Sequence, residues 1–173
     1  MSARTSTPAP ANGAATRLGN VGRIAHPTRA TVATPFGTVT LVEADGRLVR
    51  VLWGDDPGEG SPLVSEAVAQ MRAYFDRRLA RFDLPLDWGY GLHAPVRRAM
   101  ATIPMGETRT YGQIAKAVGA PAQAVGQACG ANPLPILIPC HRVTGTDWFG
   151  GFSAPGGVET KAALLRHEGA LLL

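Results

Sequence analysis

Apolar positions recur along the chain with two different periods, and the change from one to the other outlines its elements. Phe36 to Val42 and Arg47 to Trp53 are rich in β-branched and aromatic residues, with Glu43-Ala44-Asp45-Gly46 between them. Asp-Gly between two such runs predicts a β-hairpin. Ser61-Pro62 then reads as an N-cap with proline at the first helical position. Val64, Ala67, Val68, Met71 and Phe75 follow at helical spacing, so one face of that helix is expected to cover the hairpin. Phe82 to Trp88 is a candidate further strand. Beyond a break at Gly89-Tyr90-Gly91 the period is helical again. Helices are expected over roughly Ala94 to Ile103, over Tyr111 to Val118 with Gly119 just past its end, and from Pro121 to about Cys129 before Gly130. Leu134 to Ile138 is a short, buried-looking apolar segment between prolines. Gly150 to Gly157 is a glycine-rich loop, and Val158 to His167 a closing helix ended by Gly169.

This succession predicts an α+β fold with no internal repeats. A flexible tail (1–30) precedes a small N-terminal sheet-plus-helix domain (31–88), which acts as a scaffold without chemistry of its own. A mainly helical C-terminal domain (91–173) follows. Its two short helices across the tight Gly119-Ala120-Pro121 connection form a winged-helix-like helix-turn-helix. The bulk numbers agree: 173 residues suffice for one or two small domains, and 45% hydrophobic with 17% charged content reads as soluble and globular. No apolar run is long enough to span a bilayer. The tail, rich in Ala, Pro, Thr and Gly, lacks the apolar centre of a signal peptide, so a cytoplasmic location is expected. Charge is unevenly spread. The tail carries four arginines and no acid, Thr31 to Asp87 six arginines against nine acids, and Trp88 to Leu173 seven basic residues against four acids. A polyanion is therefore expected to dock on the C-terminal half.

The two cysteines, Cys129 and Cys140, are too few for a disulfide framework and fit no common zinc spacing. In a reducing compartment both are free thiols. His26 and His93 show no ligand partners, and no metal site is expected. Cys140 is followed directly by His141 and Arg142. A thiol with its pKa near 8.5 is mostly protonated at neutral pH, so a nucleophilic role needs a base or positive surroundings. His141 is the candidate base, and Arg142 supplies positive potential. Adjacent residues point to opposite sides of a regular strand. A working contact therefore requires either a turn at Cys140 or a bridging water. Cys129, on the inner face of its helix, has nothing to activate it and reads as structural. The helix Ala122-Gln123-Ala124-Val125-Gly126-Gln127-Ala128 is built largely of small residues. A major-groove reader needs long side chains to reach base edges; small ones let a backbone lie close in the minor groove.

The run Asn132-Pro133-Leu134-Pro135-Ile136-Leu137-Ile138-Pro139-Cys140-His141-Arg142-Val143 resembles the active-site signature of the O6-alkylguanine-DNA alkyltransferases. Ile103-Pro104 with Gly106-Glu107-Thr108-Arg109-Thr110-Tyr111 is similar to that family's entry into its helix-turn-helix. Gly151-Phe152-Ser153 and Lys161 to Gly169 look like its substrate-binding loop and final helix. The resemblance is dense from about Leu92 onward. It implies a DNA repair protein that flips O6-alkylguanine out of double-stranded DNA and moves the alkyl group irreversibly to Cys140 in one turnover. No cofactor is needed, because the lesion itself is the alkyl donor.

By the same resemblance Glu168 orients His141 in a Cys–water–His–Glu relay. Tyr111 helps to extrude the nucleotide and donates a proton to the guanine, which leaves better neutral than as an anion. Asn132 braces the turn around Cys140. Val143, Phe152, Ser153 and Lys161 fall in the substrate site, Ser153 through a backbone N–H facing the base's O6. Thr110, Ala122, Gln123, Ala124, Gly126, Gln127 and Arg142 are the expected DNA contacts. Departures are also visible. The family has an arginine in the recognition helix that fills the stack vacated by the flipped base; the position here is Gln123, and no arginine lies between Arg109 and Arg142. The connection from Tyr111 to Gln123 is short, and Ala154-Pro155 is an insertion. Two other classes compete. A binding-only damage sensor on this scaffold replaces the reactive cysteine in such family members, whereas this chain keeps it. A Cys–His hydrolase would leave the small-residue helix unexplained. A monomer with no membrane contact is the expected form.

Overall fold

Three antiparallel strands begin the part of the chain, residues 26–171, that the computed structural model describes. They are β1 (Thr28–Thr34), β2 (Gly37–Ala44) and β3 (Arg47–Trp53), in that order across the sheet. The expected hairpin is β2–β3. Ala44 pairs with Arg47 around Asp45 and Gly46, whose φ angles of 51° and 73° make the left-handed two-residue turn that Asp tolerates and Gly adopts freely. β1 is not legible in the sequence because Thr-Arg-Ala-Thr-Val-Ala-Thr is neither apolar nor cleanly alternating. It pairs with β2 from Thr28↔Glu43 to Thr34↔Gly37, which corrects the expected tail: residues 28–30 are strand. Positions 1–25 of that tail lie outside the described residues. Phe82 to Trp88 forms no strand either. Leu86 bridges Leu48, and the Leu48 N–H to Pro85 and Asp87 N–H to Leu48 bonds, 2.9 Å each, are its backbone bonds to the sheet. Pro85 has no N–H to continue a ladder.

Helix α1 (Pro62–Phe75) starts as its residues predict, with the Ser61 hydroxyl accepting the Val64 N–H at 3.2 Å. Val64, Ala67, Met71 and Tyr74 are its buried stripe and pack on the sheet. Each large apolar side chain so buried contributes roughly 1.5–3 kcal/mol.

The C-terminal half holds α2 (His93–Ala101), α3 (Tyr111–Val118), α4 (Ala122–Gly130) and α5 (Val158–His167). Thr110 and Gln113 close a reciprocal capping box at the start of α3, and Gly119, left-handed at φ 69°, ends it. Val125, Ala128 and Cys129 turn α4 inward. A short parallel pair, β4 (Arg109–Thr110) with β5 (Val143–Thr144), fastens the entry of α3 to the chain leaving Cys140. The apolar segment between prolines is buried and coils into a tight loop, with Ile138 N–H on the Leu134 carbonyl at 2.8 Å. The halves share one core and are stitched by the Val51 N–H to Pro133 carbonyl bond of 2.8 Å. Among the described residues no helix is long and apolar enough to cross a membrane.

Candidate active site

Pro139 decides how Cys140 is presented. Its φ of −79° and ψ of 67° form an inverse γ-turn, closed by Cys140 N–H on the Ile138 carbonyl at 2.8 Å. One turn of 3-10 helix follows over Cys140–Arg142. The chain thus does turn at Cys140. His141 goes fully inside, while Cys140 stays half-buried in the wall of a cavity of about 500 Å³. Asn132 braces this geometry. Its Nδ2 donates to the Ile138 carbonyl at 2.9 Å and its Oδ1 accepts the Leu134 N–H at 3.1 Å. The loop it closes contains Ile136 at φ 71°, a conformation hostile to a β-branched residue and worth about 1–3 kcal/mol of strain.

Glu168, just past α5, gathers the buried polar groups. It accepts from His141 Nε2 at 2.7 Å, from Arg142 Nε and Nη2 at 2.9 and 2.8 Å, and from the Tyr74 hydroxyl at 2.6 Å. Arg142 also donates to the Ile103 carbonyl at 2.6 Å. A carboxylate only accepts, so Nε2 of His141 carries the proton and Nδ1 the lone pair. Nδ1 is buried and has no hydrogen-bond partner among the described residues. Burial by itself would raise the Glu168 pKa, but the hydrogen bonds from His141 and Arg142, with that from Tyr74, outweigh it and hold it at about 2. Burial pushes the His141 pKa below its ordinary value against the pull of Glu168, so the imidazole rests neutral. Burial raises the Cys140 thiol, while the Asn132 amide, Lys161 and the backbone N–H groups of Cys140 and His141 draw it back. At rest the sulfur is therefore a thiol, and the next residue in the chain is a neutral imidazole.

Lys161 is wholly buried. Its ammonium donates to the carbonyls of Val143 and Gly151 and lies 5.8 Å from the Tyr111 ring centroid. Burial depresses its pKa to about 8, with both cysteines pulling the other way. Tyr111, Asn132, Phe152 and Ser153 line the cavity with Cys140, and Ala122, Gln123 and Gly126 of α4 form its rim. Burial raises the Tyr111 phenol, as do the neighbouring thiols. The Ser153 hydroxyl ties its loop to the Gly130 carbonyl at 3.2 Å. Gln127 is exposed on α4, Ala124 half-exposed, and the Thr110 oxygen is occupied by its cap.

Two expectations need correction. Arg142 is not placed to touch DNA: it is buried, with its guanidinium spent on Glu168 and Ile103, because the 3-10 turn points it inward. Val143 does not line the cavity; strand β5 buries it, and its carbonyl is taken by Lys161. Cys129 faces inward from α4, as expected; it also reaches the cavity wall, where burial pushes its thiol up to about 12. Two residues went unnoticed. Trp148 stands exposed at the cavity mouth, its ring 6.2 Å from that of Tyr111. Tyr74 comes from the domain expected to have no chemistry. Its position in the α1 stripe is a usable signal, since a buried phenol must find a partner. Among the described residues no group of three His, Cys, Asp or Glu side chains is placed to hold a metal ion.

Comparison with known proteins covers both halves of the chain. Residues 92–170 match the family described as 6-O-methylguanine DNA methyltransferase, DNA binding domain, and residues 28–88 its ribonuclease-like domain. A Mycobacterium bovis protein named methylated-DNA--protein-cysteine methyltransferase is 41% identical over 154 residues, 80% of this chain and 90% of its own length. The constitutive Bacillus subtilis methylated-DNA--protein-cysteine methyltransferase is 37% identical over 153 residues, covering 80% of this chain and 93% of its own. The crystal structure of Mycobacterium tuberculosis OGT in complex with DNA superposes with a TM-score of 0.72 at 40% identity, over 83% of this chain and 93% of that one. With matched halves, a matching fold and a cysteine set against a buried His–Glu pair, the chain belongs to the 6-O-methylguanine DNA methyltransferase family.

Proposed function

We propose that this protein repairs alkylated DNA by moving the alkyl group of O6-alkylguanine to Cys140 in a single, irreversible turnover. The observation that carries this reading is the Cys140–His141–Glu168 arrangement at a cavity rimmed by α4. A water bridging Cys140 Sγ and His141 Nδ1 carries the thiol proton to the imidazole, and Glu168 stabilises the imidazolium that forms. The thiolate attacks the alkyl carbon; the S–C bond forms as the C–O6 bond breaks, and its electrons pass to the guanine. The Tyr111 phenol protonates the departing base and is reprotonated from solvent, to which the imidazolium returns its proton. Lys161, against the Tyr111 ring, supports the transient phenolate. Phe152 supplies an apolar cavity face, and the Ser153 N–H is available to the base's O6.

The α3–α4 pair acts as a helix-turn-helix whose small, exposed α4 face, Ala122 and Gly126 above all, lets the backbone approach the minor groove. The target base must leave the stack to reach the sulfur, at a cost of a few kcal/mol. Gln123 at the rim is the side chain nearest to fill the gap; it can hydrogen-bond the orphaned partner base but lacks a stackable cation. The protein acts as a monomer, in a reducing cytoplasm that keeps its thiols free.

The test is to incubate the protein with a duplex oligonucleotide containing O6-methylguanine and weigh its peptides. The Cys140 peptide gains the mass of one methyl group, and Cys140→Ser gains nothing. Tight binding without that gain would instead make the protein a damage sensor.

A further inference from the structure

A second cavity, of about 670 Å³, opens at the junction of the two domains and shares no lining residue with the first. Its floor is the segment around Pro133, its walls come from β2, β3 and the start of α2, and Tyr90 stands at its edge, 85% exposed. Arg97 is among its lining residues. This arginine is only 7% exposed, yet its Nε has no hydrogen-bond partner among the described residues. The polar contact it does make is a long one, 3.4 Å from Nη1 to the Asp87 carbonyl. Among the described residues no carboxylate lies within ion-pair distance of it. The Asp87 carboxyl accepts the Gly89 N–H and acts on Arg97 only from a distance.

A guanidinium cannot shed its charge to escape burial, and a buried charge without a counterion is strongly disfavoured. Native interiors rarely tolerate one unless something binds there. The surroundings favour an anion. His93 Nδ1, in the same wall, is also buried and unpartnered. Arg50 stands exposed on the wall. Arg29 is present too, paired with Asp56 at 2.5 Å. The first turn of α2 carries no acid, so the positive end of the helix adds to the potential, although Pro95 has no N–H and the His93 N–H is taken by the Tyr90 carbonyl at 3.2 Å. Gly89, at φ 74°, is what lets the guanidinium lie there: a Cβ at that position would collide with Nη1.

We propose that this junction cavity is a binding site for a phosphate group, held by Arg97 with Arg50 and His93. Arginine forks match phosphate oxygens two at a time, which suits a planar guanidinium fixed in place by packing. Two sources share this chemistry: a free phosphate or phosphate monoester, and a phosphodiester of bound DNA. Ala131 and Pro133 line this cavity while Asn132 between them lines the other, so an occupant sits one residue from the brace of Cys140.

The test is a titration of the full chain with inorganic phosphate, followed by amide NMR at ionic strength matched with chloride. Saturable shifts at Gly89, Arg97 and Ala131, with half-saturation near or below about 1 mM, are expected. Arg97→Met should abolish them. Arg50→Ala, which leaves the core untouched, should weaken binding about tenfold, and it decides the matter if Arg97→Met does not fold. Adding unmodified duplex DNA assigns the source: displacement of phosphate points to the DNA backbone, and unchanged shifts to a free phosphate. Shifts that do not saturate, or that persist unaltered in both variants, would overturn the proposal.

Discussion

Tyr74→Phe removes one atom from the active-site network and tests whether the N-terminal domain takes part in the chemistry. The lost hydroxyl donates at 2.6 Å to Glu168 Oε1 across the domain junction, in a buried setting where the carboxylate stabilises it in its protonated form. A hydrogen bond to a charged group contributes about 1.5–3 kcal/mol. Here the lower end applies, because Oε1 keeps two other donors, His141 Nε2 and Arg142 Nη2, and no acceptor is orphaned. The expected loss is about 1.5 kcal/mol, or a fall in melting temperature of roughly 3–6 °C. The second effect is electrostatic. With one donor fewer, Glu168 becomes more basic and pulls harder on the proton shared with His141, which raises the imidazole pKa. His141 then stays protonated to higher pH, so the acidic limb of the methyl-transfer rate moves upward in pH. Single-turnover transfer from an O6-methylguanine duplex across pH 5–9, measured beside thermal melts, reads both. Phe75→Leu, in the same aromatic cluster but without a polar atom, should lower the melting temperature and leave the pH profile in place. A Tyr74→Phe protein that melts lower with an unmoved profile would show that Tyr74 only packs.

The remaining predictions concern the other groups of the network. Glu168 sits at about 2 instead of 4.5, so its stabilisation is present above pH 4.5 and drains away as pH falls toward 2, a change of about 3 kcal/mol visible in urea midpoints. Glu168→Gln should flatten that acid dependence while costing about 3–5 kcal/mol at neutral pH, since Arg142 is left buried without a counterion; an unaltered acid slope would refute the assignment. Asn132→Ala loses two buried hydrogen bonds across the Ile136 loop and should destabilise by roughly 2–4 kcal/mol and slow alkylation of Cys140 by iodoacetamide. Equal alkylation rates would mean that the amide does not tune the thiol. Gln123→Arg should speed repair of duplex DNA about tenfold through stacking in the vacated gap while leaving the reaction with a free O6-alkylguanine analogue unchanged. An unchanged duplex rate counts against that role for position 123.

What the sequence by itself determined about this protein is what short stretches of chain decide alone. Ser61-Pro62 starts α1 because the cap is a contact between residues three apart, and Asp45-Gly46 turns the hairpin because φ preference belongs to single residues. Val158–His167 is read to the residue for the same reason. The Pro-Cys-His-Arg run and its flanks were enough to point to the family and to Cys140. Tertiary structure decided everything that depends on which side chains meet across the fold. A two-residue strand pair and one 3-10 turn put Arg142 and Val143 inside, against expectation, and the packing of α5 made Lys161 a buried neighbour of the thiol. β1 exists because β2 offers it an edge, while Phe82 to Trp88 fails as a strand at Pro85. Tyr74 and Glu168, 94 positions apart, meet only when the two domains pack. Periodicity reports which face of a helix is buried but not what waits on the other side of the contact, and the pKa of every group around Cys140 is set by that second fact.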